Sequence, residues 1–150
     1  MTEHPTTQSG IADRRDEVIE LAYRPWELIG AGRLEDGLAL LDDSGTWWAI
    51  SSRTTTSIAE IKPTLRGVFG LIGPSFEFTD AIVESDRVAL MVECRADLPN
   101  GVAFHNVCTF ITRVDLDRGV VVEVREYVDS LHSAQTLKPA MAAAGVKAPG

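Results

Sequence analysis

Cysteine is scarce in this chain, which holds only Cys94 and Cys108. Two thiols are too few for a disulfide framework. In a reducing compartment they read as small buried hydrophobes. They fall on two candidate strands that can be neighbours, so a bridge between them stays open. No apolar run reaches the roughly 18 residues that a membrane-spanning helix needs. The first ten residues, MTEHPTTQSG, carry no apolar core of a signal peptide. The expected compartment is therefore the cytoplasm, with no membrane partner. Basic residues are outnumbered, 14 against 22 acidic ones, for a formal net charge of −8. No basic stripe offsets that balance, so nucleic acid and anionic membranes are excluded as expected partners. Histidine occurs three times, and no pair shows a metal-ligand spacing such as His-x-x-x-His, so no metal is expected. A glycine-rich phosphate loop, a G-x-S-x-G elbow and a Cys-x-x-Cys pair are all missing. No cofactor is expected either.

What is present suits one globular domain. The length of 150 residues buries about 68–70% of the unfolded surface, enough for a core. Hydrophobic residues make up 45% and charged residues 24%, an ordinary balance for a globular chain. Residues 1–10 read as a disordered tail. From Ile11 the pattern is helical: Val18, Leu21, Ala22, Trp26 and Ile29 recur at three- and four-residue steps. Asp13, Asp16 and Glu17 suit the positive end of that helix. Pro25 predicts a kink or break, because it lacks an amide donor and crowds the carbonyl of Leu21. GAGRLEDG then turns into a short helix, Leu34 to Leu41, which DDSG ends. TWWAIS, Thr46 to Ser51, reads as a short strand and SRTTT as a polar loop. Ser57 with Glu60 has capping-box spacing, ahead of a helix carrying Ile58, Ile61, Leu65, Val68, Phe69 and Ile72.

Four strands follow: SFEFTDAIVE, RVALMVECRAD, VAFHNVCTFITRV and GVVVEVREYVD. Short turns separate them, which predicts an antiparallel meander. A short helix from Leu131 to about Ala144 and a frayed end, residues 145–150, complete the chain. Helices first and a curved antiparallel sheet afterwards is an α+β pattern.

The last strand poses the chemical question. Five valines stand among the nine residues from Val120 to Val128, a composition that fits a packed, pleated surface. By alternation Glu126 shares a face with Val122, Val124 and Val128. A carboxylate there is an edge charge, half of a buried ion pair, or an acid/base facing a cavity. Desolvation in an apolar pocket would lift its pKa above the ordinary value of about 4.3, towards the range useful for proton transfer. His105 is either a pocket acid/base or a rim histidine. Trp47 and Trp48 must point to opposite faces of their strand, one inward and one onto an outer surface suited to an interface.

The order of elements, together with particular residues, resembles the SnoaL-like branch of the nuclear-transport-factor-2-like superfamily. Gly119, Arg125, Glu126, Tyr127 and Asp129 fill the places of its last-strand motif. Asn100, Gly101, Phe104, Asn106 and Phe110 match the strand before it. The resemblance runs from about Val18 to Ser133. It implies a cone-shaped curved sheet wrapped around three N-terminal helices and enclosing an apolar pocket. Polyketide cyclases of that branch place an acid/base Asp at the position of Glu126. Limonene-epoxide-hydrolase-like relatives add an Arg and a second Asp two residues apart, a spacing that Arg95 and Asp97 offer. Their water-holding Tyr and Asn correspond here to Trp48 and Ile50. Ketosteroid isomerase shares the fold, but its acid and base pair has no match here. The resemblance puts Trp48 in the pocket, with Val68, Ile72, Val107, Thr109, Val124 and Val128 as its apolar wall. It implies a homodimer through the sheet face. It also implies a cofactor-independent isomerase, cyclase or epoxide hydrolase acting on a hydrophobic polyketide, steroid or terpenoid, with Glu126, Arg95 and Asp97 as catalytic residues. The alternatives are a ligand-binding module without chemistry and a dimerisation domain with a filled core.

Overall fold

The computed structural model describes residues 5–147, with side chains from residue 14 onward. Residues 1–4 of the expected tail lie outside the described residues, as do 148–150 of the expected frayed end. The first helix, α1, spans Pro5–Gly30. It therefore begins before Ile11 and runs through Pro25 without a break. Proline removes one backbone bond, but Ala22, Trp26 and Ile29 on either side of it are buried. Packing holds the helix together across the proline. Helix α2, Leu34–Ala39, lies directly on α1. Gly37 makes that approach possible: a Cβ there would stand 2.6 Å from the Pro25 carbonyl oxygen.

Strand β1, Leu41–Ala49, starts where the second helix was expected to end. DDSG is thus part of a bulged strand rather than a turn, and the register shifts between Leu41 and Thr46. Gly45 allows this, because a Cβ there would meet the Val122 carbonyl oxygen at 2.2 Å. Of the stretch expected as a polar loop, Ser52 and Arg53 lie in a turn, and the threonines form a short second strand, β2, Thr54–Ser57. Helix α3, Ile58–Ile72, carries the capping box its sequence announces. The Glu60 amide donates to Ser57 Oγ at 3.1 Å, and the Ser57 amide donates to Glu60 Oε2 at 3.2 Å.

Strands β3 (Ser75–Glu84), β4 (Arg87–Asp97), β5 (Ala103–Asp115) and β6 (Val120–Val128) follow as a meander. The fold is α+β, with an open, six-stranded curved sheet in the order β2-β1-β6-β5-β4-β3. All neighbours are antiparallel except β1 and β6, which pair in parallel. That single parallel pairing departs from the purely antiparallel sheet expected. It arises because α3 carries the chain from the β1–β2 hairpin to the opposite edge of the sheet, and the meander then runs back until β6 meets β1. Helix α4 (Ser130–His132), a π-helical turn (Ser133–Leu137) and helix α5 (Lys138–Ala143) then close one end of the sheet's concave face.

Trp26 is the hub of the core. Its ring stacks on Phe110 at 4.4 Å and meets the edge of Trp47 at 6.1 Å. These contacts fasten α1 to the concave side of β1 and β5. Aromatic pairs of this geometry add roughly 0.5–1.5 kcal/mol beyond their buried area.

Candidate active site

The sheet's period of two decides which side chains enter the pocket. On β5 the buried positions are the even ones, including Phe104, Asn106, Cys108 and Phe110. On β4 they are Val88, Leu90, Val92 and Cys94. On β6 the register shifts between Arg113 and Val114, opposite Val122, so Val121 and Val124 are the buried valines. Beyond that bulge the expected alternation applies. Val124, Glu126 and Val128 share the concave face, while Val122 does not.

A cavity of about 90 Å³ opens beneath the sheet. Helix α3 contributes Leu65, Val68 and Ile72. The sheet contributes Cys94, Cys108, Phe110, Glu126 and Val128, and the C-terminal helical segment adds Ser133, Leu137 and Lys138. Glu126 also borders a second, smaller cavity of about 40 Å³, on the side of β1 and β2. No described residue donates a hydrogen bond to the Glu126 carboxylate. Burial pushes its pKa up from 4.5 to about 7. An ionised carboxylate in an apolar wall loses much of its hydration, and so the neutral form is favoured.

The neighbouring thiols are held neutral. Burial, and then the charge of Glu126, pushes Cys94 up to about 12. Burial dominates the rise at Cys108 as well, followed by the charges of Cys94 and Glu126. Both thiols are free, on adjacent strands. A buried thiol of this kind is a poor nucleophile. Among the described residues, no group of three or more His, Cys, Asp or Glu is placed to hold a metal ion.

Asn106 ties this pocket shut. Its Nδ2 donates to the Asp129 carbonyl at 3.1 Å and to Ser133 Oγ at 2.9 Å, while its Oδ1 accepts from the Asp129 amide at 2.9 Å. Asp129 in turn accepts from the His132 amide at 3.1 Å and caps α4. The conspicuous Asp129 of the last-strand motif is therefore a helix cap, and Asn106 anchors the segment that covers the cavity.

Several residues expected in the pocket stand elsewhere. Trp48 lies on the convex face, because β1 pairs Trp47 with Val124 and Trp48 with Arg125. The Arg125 guanidinium sits 4.2 Å from the Trp48 ring centre and donates to Tyr127 Oη at 3.0 Å. Trp47 takes the inward place. His105, Val107 and Thr109 occupy the odd, convex positions of β5; Val107 is 62% exposed. His105 Nε2 is bonded to Glu93. Arg95 pairs with the same Glu93 at 3.2 Å, and both Arg95 and Asp97 are exposed on the convex face. They stand across the sheet from Glu126, so the structure does not bring the three together. Of the remaining expected residues, Val68, Ile72, Val128 and Glu126 line the cavity, and Val124 is buried in the core. Phe104, Asn106, Cys108 and Phe110 are the pocket-facing residues the expectation missed. The signal was present: even positions on β5 carry two rings and a thiol, whereas odd positions carry His105 and Arg113.

The curved sheet wrapped on helices is shared with solved structures described as SnoaL-like and NTF2-like proteins, and this chain has that fold. PrhC from Penicillium brasilianum matches with a TM-score of 0.74 and 21% identity, over 87% of this chain and 91% of that one. A Shewanella putrefaciens protein named as a SnoaL-like polyketide cyclase matches with a TM-score of 0.69 and 9% identity, over 93% of this chain and 97% of that one. RV0760c from Mycobacterium tuberculosis, solved in complex with estradiol-17beta-hemisuccinate, matches with a TM-score of 0.63 and 16% identity, over 74% of this chain and 92% of that one. No family model and no curated protein matches the sequence.

Proposed function

We propose that this chain binds a hydrophobic small molecule and performs cofactor-independent proton transfer on it, with Glu126 as the acid/base. The observation that supports this most is an unpartnered carboxylate on the wall of an apolar cavity, with a pKa near 7. At neutral pH such a group is part acid and part base. It can take a proton from a carbon beside a carbonyl and return it to another atom of the same substrate. That chemistry is an isomerisation or a ring closure. Epoxide hydrolysis of the three-residue kind is less well supported, since Arg95 and Asp97 stand on the other face of the sheet.

The ligand class we propose is a polyketide, steroid or terpenoid. RV0760c, which shares the fold, holds a steroid ester. The cavity of about 90 Å³ is smaller than the roughly 300 Å³ of a typical small-molecule site. A multi-ring ligand therefore requires residues 130–143 to move outward, since they supply Ser133, Leu137 and Lys138 to the wall. A second reading, binding without chemistry, is favoured by one observation: among the described pocket-lining residues no second carboxylate or histidine faces Glu126.

Glu126→Gln separates the two. On hydrophobic carbonyl substrates, turnover should fall by about 10²–10⁴-fold, the usual worth of a general acid/base. Ligand uptake, followed by tryptophan fluorescence, should persist. Turnover unchanged in the variant would overturn the catalytic reading, and uptake without turnover by the unaltered protein would establish the second.

The sheet face supports a further proposal of a homodimer: exposed Val107 shares the convex face with the Trp48–Arg125–Tyr127 stack. A light-scattering mass of one chain would overturn it. The compartment we propose is the cytoplasm, supported by two thiols left unbridged; recovery of the protein elsewhere on cell fractionation would contradict it. No described helix is long and apolar enough to cross a membrane.

A further inference from the structure

Glu126 stands between two cavities that differ in character. One is the apolar pocket. The other, about 40 Å³, is bounded by Trp47, Ala49, Thr54, Thr56 and Leu65, with Ser52 at its rim. The sheet register explains why this second space exists. Ala49 pairs with Glu126 on one side and with Thr54 on the other. Strands lie about 4.8 Å apart, so Glu126 and Thr54 are separated by roughly 10 Å across the methyl group of Ala49. A single Cβ leaves that interval open.

The polar groups of this space point to an occupant. Thr56 Oγ1 is sealed from solvent and has no hydrogen-bond partner among the described residues. A buried hydroxyl without a partner is uncommon in folded proteins. A cavity needs only about 10–15 Å³ to hold a water molecule, provided two or more polar groups face it. Thr56 and Glu126 both line this one, and Thr56 Oγ1 is the buried hydroxyl without a partner. Its rim is also hydroxylated: Thr54 Oγ1 donates to Ser52 Oγ at 2.9 Å, and both residues are exposed on the edge strand and its turn.

We infer that this cavity is a buried-water site through which Glu126 exchanges protons with bulk solvent, and that Thr56 is the residue positioning the water. The inference rests on Glu126 being the proton-transfer group proposed above. The step is a simple acid dissociation. The Glu126 carboxylic acid gives its proton to the water, leaving a carboxylate and a hydronium ion. The hydronium passes the proton to solvent past Thr54 and Ser52, and the reverse path reprotonates the carboxylate. The route matters because a ligand in the apolar pocket shields the opposite side of the carboxylate. The side facing β2 then remains the wet one, and the acid/base can be reset with the ligand in place. Ionisable groups bordering the apolar side are Cys94 from β4, Cys108 from β5 and Lys138 from α5. Apart from Glu126 itself, the residues lining the small cavity carry hydroxyls and apolar side chains.

Two measurements on the full chain test this without any substrate. A high-resolution crystal structure should show an ordered water within hydrogen-bond reach of both Thr56 Oγ1 and the Glu126 carboxylate. Thr56→Val, nearly the same shape without the hydroxyl, should raise the Glu126 titration midpoint by about one pH unit, read by carbon-13 NMR of the carboxyl, because the charged form loses a solvating contact. Thr56→Ser should restore the original midpoint. A packing role for Thr56 would not give that pattern. No water at Thr56 Oγ1, or an unmoved midpoint in a folded Thr56→Val protein, overturns the inference. If the valine variant does not fold, the wild-type water and the Thr56→Ser midpoint decide. Failure of the catalytic reading looks different: Glu126→Gln would keep its turnover while the water and the midpoint shift remained.

Discussion

Replacing Glu126 with glutamine should stabilise the fold at neutral and alkaline pH and leave it unchanged in acid. In the folded protein burial raises the carboxyl pKa from an ordinary 4.5 to about 7. Between those values the native state keeps the proton and the unfolded chain has released it. Stability is then at its full value below about pH 4.5, falls as pH rises towards 7, and stays lower above that. Each pH unit is worth about 1.4 kcal/mol, so the interval amounts to roughly 3 kcal/mol. Glutamine fills the same space and cannot ionise. Its advantage over the wild type should grow from near zero around pH 4 to about 3 kcal/mol around pH 8. In a chain of this length that corresponds to roughly 6–12 °C in Tm. Burying an amide adds a constant offset, which moves the whole curve without changing its dependence on pH. Urea unfolding of both proteins from pH 4 to 8 measures the difference directly. A difference that does not vary with pH would refute the reasoning, because it would place the folded carboxyl near its ordinary pKa and remove its claim to acid/base work.

Three other variants probe the geometry. Arg95→Ala and Asp97→Ala should each leave the Glu126 titration and any turnover unchanged, since both side chains are exposed on the opposite face of the sheet; a tenfold loss of turnover in either would contradict that placement. Trp47→Ala should cost about 3–5 kcal/mol in chemical denaturation, because its ring is buried against Trp26. Trp48→Ala should cost clearly less, and the reverse order would refute the inward and outward assignment. Asn106→Ala removes three hydrogen bonds that fasten residues 129 and 133 to β5. It should destabilise the protein by about 1–3 kcal/mol and speed amide exchange in residues 130–143. Unchanged exchange there would show that the segment is held by other contacts.

The helices were legible where one face alone is apolar. The stripe through Val18, Ala22, Trp26 and Ile29 is buried as its spacing predicts. The Ser57 and Glu60 capping box forms because both partners lie within one turn. Pro25 misled, since the penalty of a missing amide is local whereas the packing of Ala22 and Trp26 is not. The DDSG and SRTTT stretches misled for a related reason. Their turn-forming residues describe an isolated chain, whereas DDSG joins a strand paired with β6, far away in sequence, and Thr54–Ser57 pairs back on Thr46–Ala49 as a local hairpin.

By itself, the sequence determined the four strands β3 to β6, their alternation, and the presence of one carboxylate on a valine face, because a period of two is a property of the backbone. It did not determine which of two faces turns inward where both carry apolar side chains. On β5, Phe104, Cys108 and Phe110 compete with Val107, Thr109 and Ile111. Only the tertiary structure settled that contest, through the volume of aromatic rings that fit around Trp26. It also decided that Trp47 rather than Trp48 enters the core, since the parallel pairing of β1 with β6 sets the parity of both strands together. Above all it isolated Glu126. A carboxylate's pKa depends on what surrounds it in space, and the groups that desolvate Glu126 come from helices and strands distant in the chain.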